Sequence, residues 1–307
     1  MDPRLGSAPG LAEIARAARL LWLQSRREAA GVLVGPWASA VHGSGVEFEE
    51  SRPYVPGDDV RSIDWNATAR TGVPWVKRFR EERSCTLVIA LDASASMGFG
   101  STGRSKAQAA AHAAALLAAA AAQAGDPVGF VAFAEGVCGE VRPGRGDAHT
   151  WRVIRAASAS ADRPSGPTSL GVAVEWVRVH ARRRSVVVVL SDFRSGELAG
   201  PERPLAALGR RHDLVAAVVE DPRERTLVAA GGLRLADAER PGRRLLLATR
   251  RRRRAAYQAE ADARRDALAR RLRDEGADLL WLPTQVDPLR PLAHFFRARG
   301  ARSRAAR

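Results

Sequence analysis

The chain has little of what disulfide frameworks and zinc sites are built from. Cysteine occurs only twice, as Cys85 and Cys138, and neither has a partner at the CxxC spacing of metal and redox motifs. Both cysteines lie at predicted strand edges, where we expect small buried thiols. The six histidines form no HxH or HExxH pattern, so their spacing predicts no zinc site.

Long hydrophobic runs are absent as well. No stretch approaches the roughly 18 consecutive apolar residues that cross a bilayer, and the N-terminal residues lack the charged and then apolar pattern of a secretion signal. With 46% hydrophobic and 27% charged residues among 307, the composition is typical of a globular protein with one large or two modest domains. We therefore expect a cytoplasmic protein without a transmembrane segment.

Lysine is almost absent too. Lys77 and Lys106 are the only lysines among 49 basic residues, so the net charge of +15 comes almost entirely from arginine. A charge of this size can attract a polyanion. Enrichment in arginine together with alanine is also what GC-rich coding produces, and we favour that explanation. The charge alone does not establish a nucleic-acid partner.

The N-terminal part combines a helix with a turn-rich segment. Residues 11–30 place apolar side chains at near-helical spacing and predict a packing helix that ends at Gly31. From Gly35 to Arg83 the chain is rich in turn residues and predicts an irregular, partly β subdomain. Within it, Val73–Phe79 alternates apolar and basic residues, which predicts a strand that enters the main sheet. The acidic residues of this segment are interpreted as turn formers and partners of nearby arginines, not as a catalytic pair.

After Cys85, strands alternate with helices, which predicts an α/β fold with a doubly wound, mostly parallel sheet. The predicted strands are Leu87–Leu91, Pro127–Ala134 with the hairpin partner Val137–Val141, Val186–Leu190, Leu214–Val219 and Asp278–Leu282. The predicted helices are Lys106–Gln123, Asp147–Ser160, Leu170–Arg182, Pro204–Arg211 and a long helix after Arg250–Arg254. A small hairpin is predicted from Leu233–Leu235 and Arg243–Leu247. We divide the chain into an N-terminal helix and subdomain (1–84), an α/β domain (85–283) and a basic helical tail that frays (284–307).

Polar residues follow two of the predicted strands. Asp92 ends the first core strand and Asp192 follows the strand Val186–Leu190, and in the commonest doubly wound order these strands are neighbours at the ligand-binding switch point. Ser94 and Ser96 come two and four residues after Asp92, so an extended loop turns all three side chains the same way. Thr168 lies on a loop before a helix and can approach the same crevice. These five residues offer hard oxygen donors, which suit Mg²⁺ or Mn²⁺.

Other functions compete for the same residues. An Asp-x-Ser-x-Ser pattern alone could be a cap for the helix that begins at Lys106. A magnesium-dependent phosphotransferase or hydrolase needs a second carboxylate where Ser94 stands, so we expect no enzyme activity. Nucleic-acid binding through Arg250–Arg254 is a further alternative, weakened by the acidic residues of the following helix. A metal ion held by two carboxylates stays electrophilic toward a partner's carboxylate, which favours a protein-binding site.

The five residues Asp92, Ser94, Ser96, Thr168 and Asp192 resemble the metal-ion-dependent adhesion site of Rossmann-like von Willebrand factor A-type domains, over roughly Cys85 to Leu282. The upstream segment resembles the bacterial family catalogued as domain of unknown function 58, whose members carry it directly before an A-type domain. The matching residues are Arg52-x-Tyr54-x-x-Gly57-Asp58-Asp59-x-Arg61-x-Ile63-Asp64-Trp65, followed by Ala69-Arg70 and Glu82-Arg83.

The resemblance implies a binding protein, not a catalyst. Members of this family are often encoded beside a MoxR-type AAA+ ATPase, and the resemblance implies that the protein acts with such an ATPase in assembling or activating other proteins. It also implies Mg²⁺ or Mn²⁺ at the five positions. This chain departs from many relatives in lacking an N-terminal transmembrane pair, so membrane attachment is not expected.

Overall fold

The computed structural model describes residues 25–41, 46–81, 85–194, 198, 203–236, 244–248 and 250–305. Its helices are α1 (Val34–Val41), α2 (Trp65–Thr71), α3 (Lys106–Gln123), α4 (Asp147–Asp162), α5 (Leu170–His180), α6 (Ala206–Arg211), α7 (Arg251–Asp274) and α8 (Leu289–Ala305). Its strands are β1 (Val46–Pro53), β2 (Trp75–Glu81), β3 (Leu87–Asp92), β4 (Val128–Phe133), β5 (Val137–Gly144), β6 (Val186–Ser191), β7 (Asp213–Glu220), β8 (Gly232–Ala236), β9 (Arg244–Ala248) and β10 (Asp278–Pro283). None of these described helices has both the length and the apolar composition that a membrane crossing requires.

Within these residues, the central sheet has six strands in the order β10-β7-β6-β3-β4-β5. The antiparallel pair is β4 with β5, and all other neighbours are parallel. Every residue of β3, β4 and β6 is buried, as expected for strands covered by helices on both faces. The predicted α/β class and mostly parallel sheet are confirmed. The small hairpin of β8 with β9 is confirmed as well.

Alternate residues of β3 contribute to two different cores. Leu87, Ile89 and Leu91 pack in a cluster with residues of α3, α4 and α8, whereas Val88 and Ala90 pack in a cluster with residues of α5, α6 and α7. Helix α3 is buried around almost its whole circumference. Its alanine side chains are small enough for the sheet, α4 and the N-terminal helix to approach it closely.

The N-terminal helix extends beyond Gly31, where the sequence predicts its end. It runs from residue 25 to residue 41 through a π-helical turn that leads into α1, so the first part of the segment predicted to be irregular is helical. Tertiary contacts explain the continuation. Trp37 is fully buried, donates a hydrogen bond from Nε1 to Asp126 Oδ2 (3.0 Å) and packs edge-on against Phe296. The earlier part of the predicted helix, before residue 25, lies outside the described residues.

The predicted C-terminal helix is present, and its fraying stays a prediction. α8 continues to Ala305, and Leu292, Phe295 and Phe296 on its inner face are buried. It packs against the N-terminal helix and β10, so both terminal helices lie beside the central sheet. The domain boundaries at residues 84 and 283 stay predictions.

The segment before the central sheet forms an antiparallel hairpin of its own. β2 begins at Trp75 and pairs with β1, so the prediction that this strand enters the main sheet is wrong. Between the two strands, Asp64 caps α2 by accepting hydrogen bonds from Asn66 N and Ala67 N, both 3.1 Å long. The hairpin and α2 are therefore stabilised by contacts within this segment.

A bidentate ion pair stabilises the turn after β1. Arg52 donates to the two carboxylate oxygens of Asp58 at 2.8 and 2.6 Å, and this hydrogen bonding lowers the pKa of Asp58. The interpretation as a turn former and arginine partner is confirmed for Asp58, whereas Asp64 serves as a helix cap. The side chain of Trp65, at the start of α2, stays 70% exposed.

The two cysteines differ in exposure. Cys138 is exposed and Cys85 is half-buried, so the prediction of buried thiols is wrong for Cys138. The reason is the position of β5 at the edge of the sheet, where most of its side chains contact solvent.

Candidate metal site

The candidate site lies at the carboxyl ends of β3 and β6. These strands are neighbours, with Leu91 opposite Leu190 in the parallel register, and they end at Asp92 and Ser191. The predicted adjacency of the two strands is confirmed. In open α/β sheets, this edge is where ligands bind.

Two loops are tied together over this edge. Ala95 N donates to Gly166 O and Ser165 N donates to Ala93 O, each at 2.9 Å. Gly166 adopts a φ of +74°, a conformation that side-chain-bearing residues seldom adopt. The tie brings Thr168 beside the loop that follows β3, although about 75 residues separate the two in the sequence.

Four of the five predicted residues are in contact. Thr168 Oγ1 donates to Ser94 Oγ at 2.8 Å and lies 3.4 Å from Asp92 Oδ2. The hydroxyl oxygens of Ser94 and Ser96 are 3.2 Å apart, and Ser94 N donates to Asp92 Oδ1 at 2.9 Å. The predicted extended loop is wrong, because a 3₁₀ turn begins at Ala95. The side chains nevertheless converge into one cluster of oxygen atoms.

The fifth predicted residue, Asp192, is bound to a lysine. Lys106 Nζ donates to Asp192 Oδ2 at 2.5 Å and to Glu224 Oε1 at 2.8 Å, and the lysine side chain is only 1% exposed. The other oxygen of Asp192 accepts from Arg194 N at 3.1 Å. Both oxygens of Asp192 thus have protein donors, and the structure does not place this residue in the hydroxyl cluster.

Sequence reasoning missed Ser191, Lys106 and Glu224. Ser191 Oγ donates to Asp92 Oδ2 at 2.5 Å and accepts from Phe193 N at 2.9 Å. Among the described residues, Phe193 is the only non-glycine residue with a positive φ, +52°, and such strain is held in place at functional sites by its surroundings. Lys106 had a usable signal, as one of two lysines in an arginine-rich chain. No pattern in the sequence points to Glu224.

The charge of the site favours a cation. Asp92 is fully buried, and burial raises its pKa to about 6; the nearby charge of Asp192 acts in the same direction, against hydrogen bonds from Ser191 and Ser94. Asp92 has no ion-pair partner in the part of the chain that the structure describes. The carboxylates of Asp92, Asp192 and Glu224 outnumber their two cationic partners, Lys106 and Arg194, by one charge.

The donor chemistry fits a hard divalent ion. One carboxylate and the hydroxyls of Ser94, Ser96 and Thr168 are oxygen ligands, the type that Mg²⁺ and Mn²⁺ prefer. Such an ion would be the cationic partner of the Asp92 carboxylate. Ser191, as a donor to Asp92, keeps the carboxylate oriented.

A cavity lies beside Asp192, between β7, α7 and the loop after β6. Its volume is about 800 Å³, and Phe193, Arg194, Leu268 and Trp281 are among its lining residues. The guanidinium of Arg265 stacks 3.6 Å above the ring of Trp281. The recess next to Asp192 therefore combines apolar walls with charged residues of both signs, Glu220 and Glu224 among them.

Comparison with known sequences gives a family. The profile described as "Protein of unknown function DUF58" matches residues 50–267. An uncharacterized protein from Mycobacterium tuberculosis is 36% identical over 296 residues, which cover 94% of this chain and 91% of the relative. An uncharacterized protein from Mycobacterium avium is 33% identical over 162 residues, covering 52% of this chain and 91% of that protein.

Comparison with solved structures gives distant likenesses. BatB, a conserved hypothetical protein from Bacteroides thetaiotaomicron, has a TM-score of 0.45 and 14% identity, covering 71% of this chain and 100% of the other. An aerotolerance-related membrane protein from Bacteroides fragilis has a TM-score of 0.44 and 16% identity, with the same coverages of 71% and 100%. At TM-scores below 0.5, neither likeness bears on the fold or the function of this chain.

Proposed function

The chain belongs to the DUF58 family, and we propose that its α/β part is a metal-dependent protein-binding module of the von Willebrand factor A type. One observation carries the proposal. The buried carboxylate of Asp92 is surrounded by hydroxyl groups and lacks an ion-pair partner within the described residues. A carboxylate in this state favours a cation, and an all-oxygen set selects Mg²⁺ or Mn²⁺.

Each residue of the site has a role in this proposal. Asp92, Ser94, Ser96 and Thr168 would hold the ion, and a bound ion supplies an electrophilic position for a carboxylate from another protein. Lys106 holds Asp192 beside them and offsets part of its charge. Because the hydroxyl ligands are neutral, the net attraction for a partner's carboxylate is retained.

The cavity beside Asp192 extends the proposed docking surface. An acidic side chain at the ion would place neighbouring residues of the partner over Phe193, Arg194 and Trp281. Apolar and aromatic contacts in such a recess contribute most of the affinity of protein interfaces, while charges set orientation. The proposed partner segment therefore carries an acidic residue next to apolar ones.

The proposal includes no catalytic step. Ser94 stands where an aspartyl-phosphate enzyme needs its second carboxylate, and Asp192 and Glu224 are both bound to Lys106. No carboxylate of the described site is thus left beside Asp92 to act as an acid or base. We propose a cytoplasmic accessory protein that works with a MoxR-type AAA+ ATPase; the ATPase is what the family resemblance implies, and the location is the expectation from the sequence.

Affinity purification from native lysate tests this proposal. The tagged full-length chain is compared with Asp92→Asn and Thr168→Val, in excess Mg²⁺ and in EDTA. The matched control is Thr150→Val, which removes a buried threonine hydroxyl that donates to Gly146 O (3.1 Å), a contact within the N-terminal turn of α4. We expect an AAA+ ATPase to be retained by the wild type and the control in Mg²⁺ only. Equal retention by Asp92→Asn in EDTA would contradict metal-dependent binding.

Nucleic-acid binding stays the second candidate because of the start of α7. Arg251, Arg252 and Arg253 are exposed in its first turn, which contains no acidic residue. Positive charge at a helix N-terminus is unfavourable, and phosphate groups would offset it. Further along the helix, Glu260 pairs with Arg264 at 2.5 Å, so acidic residues offset part of the positive charge there. Retention on DNA or RNA that falls steeply with salt would support this candidate.

A further inference from the structure

A second cluster of ligating side chains lies where three distant segments meet. Glu28 comes from the N-terminal helix, His112 from the middle of α3 and Asp287 from the turn before α8. One ligand atom from each lies within 4.8 Å of the others. His112 Nε2 and Glu28 Oε2 are 3.6 Å apart. Because the three residues are far apart in the sequence, no spacing pattern reveals them.

The state of His112 indicates that this cluster is incomplete without a ligand. The residue is only 7% exposed, and its Nε2 atom has no hydrogen-bond partner among the described residues. Buried polar nitrogens nearly always have a partner, so each exception calls for a physical reason. Here the nitrogen lies 3.6 Å from Glu28 Oε2, too far for a normal hydrogen bond, and a metal ion held between the side chains would give it a partner.

The charged groups around His112 are Glu28, Asp287 and Arg104. Burial lowers the pKa of His112, and the charge of Arg104 acts in the same direction, against Asp287 and Glu28. The imidazole is therefore neutral near pH 7, which is the form that binds metals. Arg104 opposes a cation, and its Nη1 is itself buried without a hydrogen-bond partner.

We propose that Glu28, His112 and Asp287 bind a divalent transition-metal ion, with Zn²⁺ as the best fit. Imidazole nitrogen and carboxylate oxygen are both zinc ligands, whereas Mg²⁺ prefers oxygen ligands alone. The two carboxylates balance the charge of the ion. Since Asp287 is exposed, the ion can enter from solvent and a water molecule can complete a tetrahedron. The ion would join the N-terminal helix, α3 and the segment before α8.

The test measures zinc binding by the full-length chain after treatment with EDTA. The Asp92→Asn variant serves as the starting protein, because it removes the oxygen site from the measurement. We expect it to bind one equivalent of Zn²⁺ in titration calorimetry, and Co²⁺ to give the visible absorption of a tetrahedral site. Two double variants add His112→Gln or Asp287→Asn to Asp92→Asn, and each should lower the zinc affinity by at least about tenfold. Removing a residue that only hydrogen-bonds to a metal ligand already causes a loss of this size.

Two further variants sharpen the result. His212→Gln is the matched control, because His212 is also buried with an unpartnered ring nitrogen, Nδ1, but it faces Arg184 and Arg211. We expect the zinc affinity of the His212→Gln variant to equal that of the starting protein. Arg104→Gln removes the opposing charge and raises the affinity. Absence of zinc binding, or equal affinity in Asp287→Asn, overturns the proposal, and because Asp287 is exposed that variant is not expected to disturb folding.

Discussion

Two fully buried aspartates at the same edge of the sheet behave differently. Asp92 ends β3, and Asp221 directly follows β7, which is separated from β3 only by β6. Burial raises the pKa of Asp92 to about 6. Burial also acts to raise the pKa of Asp221, but hydrogen bonds from Ser101, Arg223 and Thr284 outweigh it, and the pKa is lowered.

The donors explain the difference. Asp221 accepts four hydrogen bonds, from Ser101 N (2.8 Å), Ser101 Oγ (2.5 Å), Arg223 N (2.9 Å) and Thr284 Oγ1 (3.0 Å). Asp92 accepts one bond from Ser94 N (2.9 Å) and one from Ser191 Oγ (2.5 Å), and its third neighbour, Thr168 Oγ1, is 3.4 Å away and donates to Ser94 Oγ. A carboxylate with a full set of donors is stable without a cation. Asp221 is thus a structural link between loops, while the same residue type at Asp92 favours an ion.

Replacing each aspartate by asparagine gives the largest expected contrast. In EDTA near pH 7.5, Asp221→Asn loses about 3 kcal/mol of unfolding free energy, because several buried donors lose a charged acceptor. Asp92→Asn stays at or above the wild type, because it removes a buried charge without an ion pair. Excess Mg²⁺ then stabilises the wild type and Asp221→Asn but not Asp92→Asn. Urea unfolding measures all three proteins, and equal losses in both variants would contradict the comparison.

The sequence predicts one of these aspartates and not the other, for a physical reason. Asp92 stands between a buried strand and two serines, so a local pattern reveals it. Asp221 has no such pattern, because Ser101 and Thr284 are 120 and 63 residues away. The strands themselves are predictable, since runs such as Val186–Leu190 are aliphatic throughout and fit only a strand buried on both faces.

Long-range contacts account for what sequence reasoning missed elsewhere. The ion pair of Lys106 with Asp192 joins residues 86 positions apart, and no local sequence pattern predicts it. The N-terminal helix passes Gly31 because Trp37 packs on Phe296, near the other end of the chain. In both cases a tertiary contact outweighs the local preference.

The two aspartates also predict opposite pH dependences. Asp92 has a folded pKa of about 6 against an ordinary value of 3.8, so its contribution to stability is fully present below pH 3.8 and is lost as the pH rises through about 6. Asp221 has a lowered pKa, so its contribution is present above the ordinary value and is lost as the pH falls below it. The expected change for Asp92 over this pH range is about 3 kcal/mol.

Unfolding free energies measured in EDTA from pH 4 to pH 7 check this difference. The stability of Asp92→Asn relative to the wild type should rise between pH 4 and pH 6, since the variant lacks the titrating group. A difference that does not vary with pH would show that Asp92 is not the buried group that takes up the proton.

The smallest contrast compares one serine from each site. Ser101→Ala removes the hydroxyl donor to Asp221 but keeps the backbone donor, and we expect a loss of about 1 kcal/mol of unfolding free energy, the same with Mg²⁺ or EDTA. Ser96 contacts the Ser94 hydroxyl at 3.2 Å, so Ser96→Ala changes stability little in EDTA but lowers the affinity for Mg²⁺ in calorimetry. Both substitutions remove a serine hydroxyl oxygen. If only the effect of Ser96→Ala depends on Mg²⁺, the ion binds at the site of Asp92. An equal dependence would leave Asp92 and Asp221 as two structural aspartates.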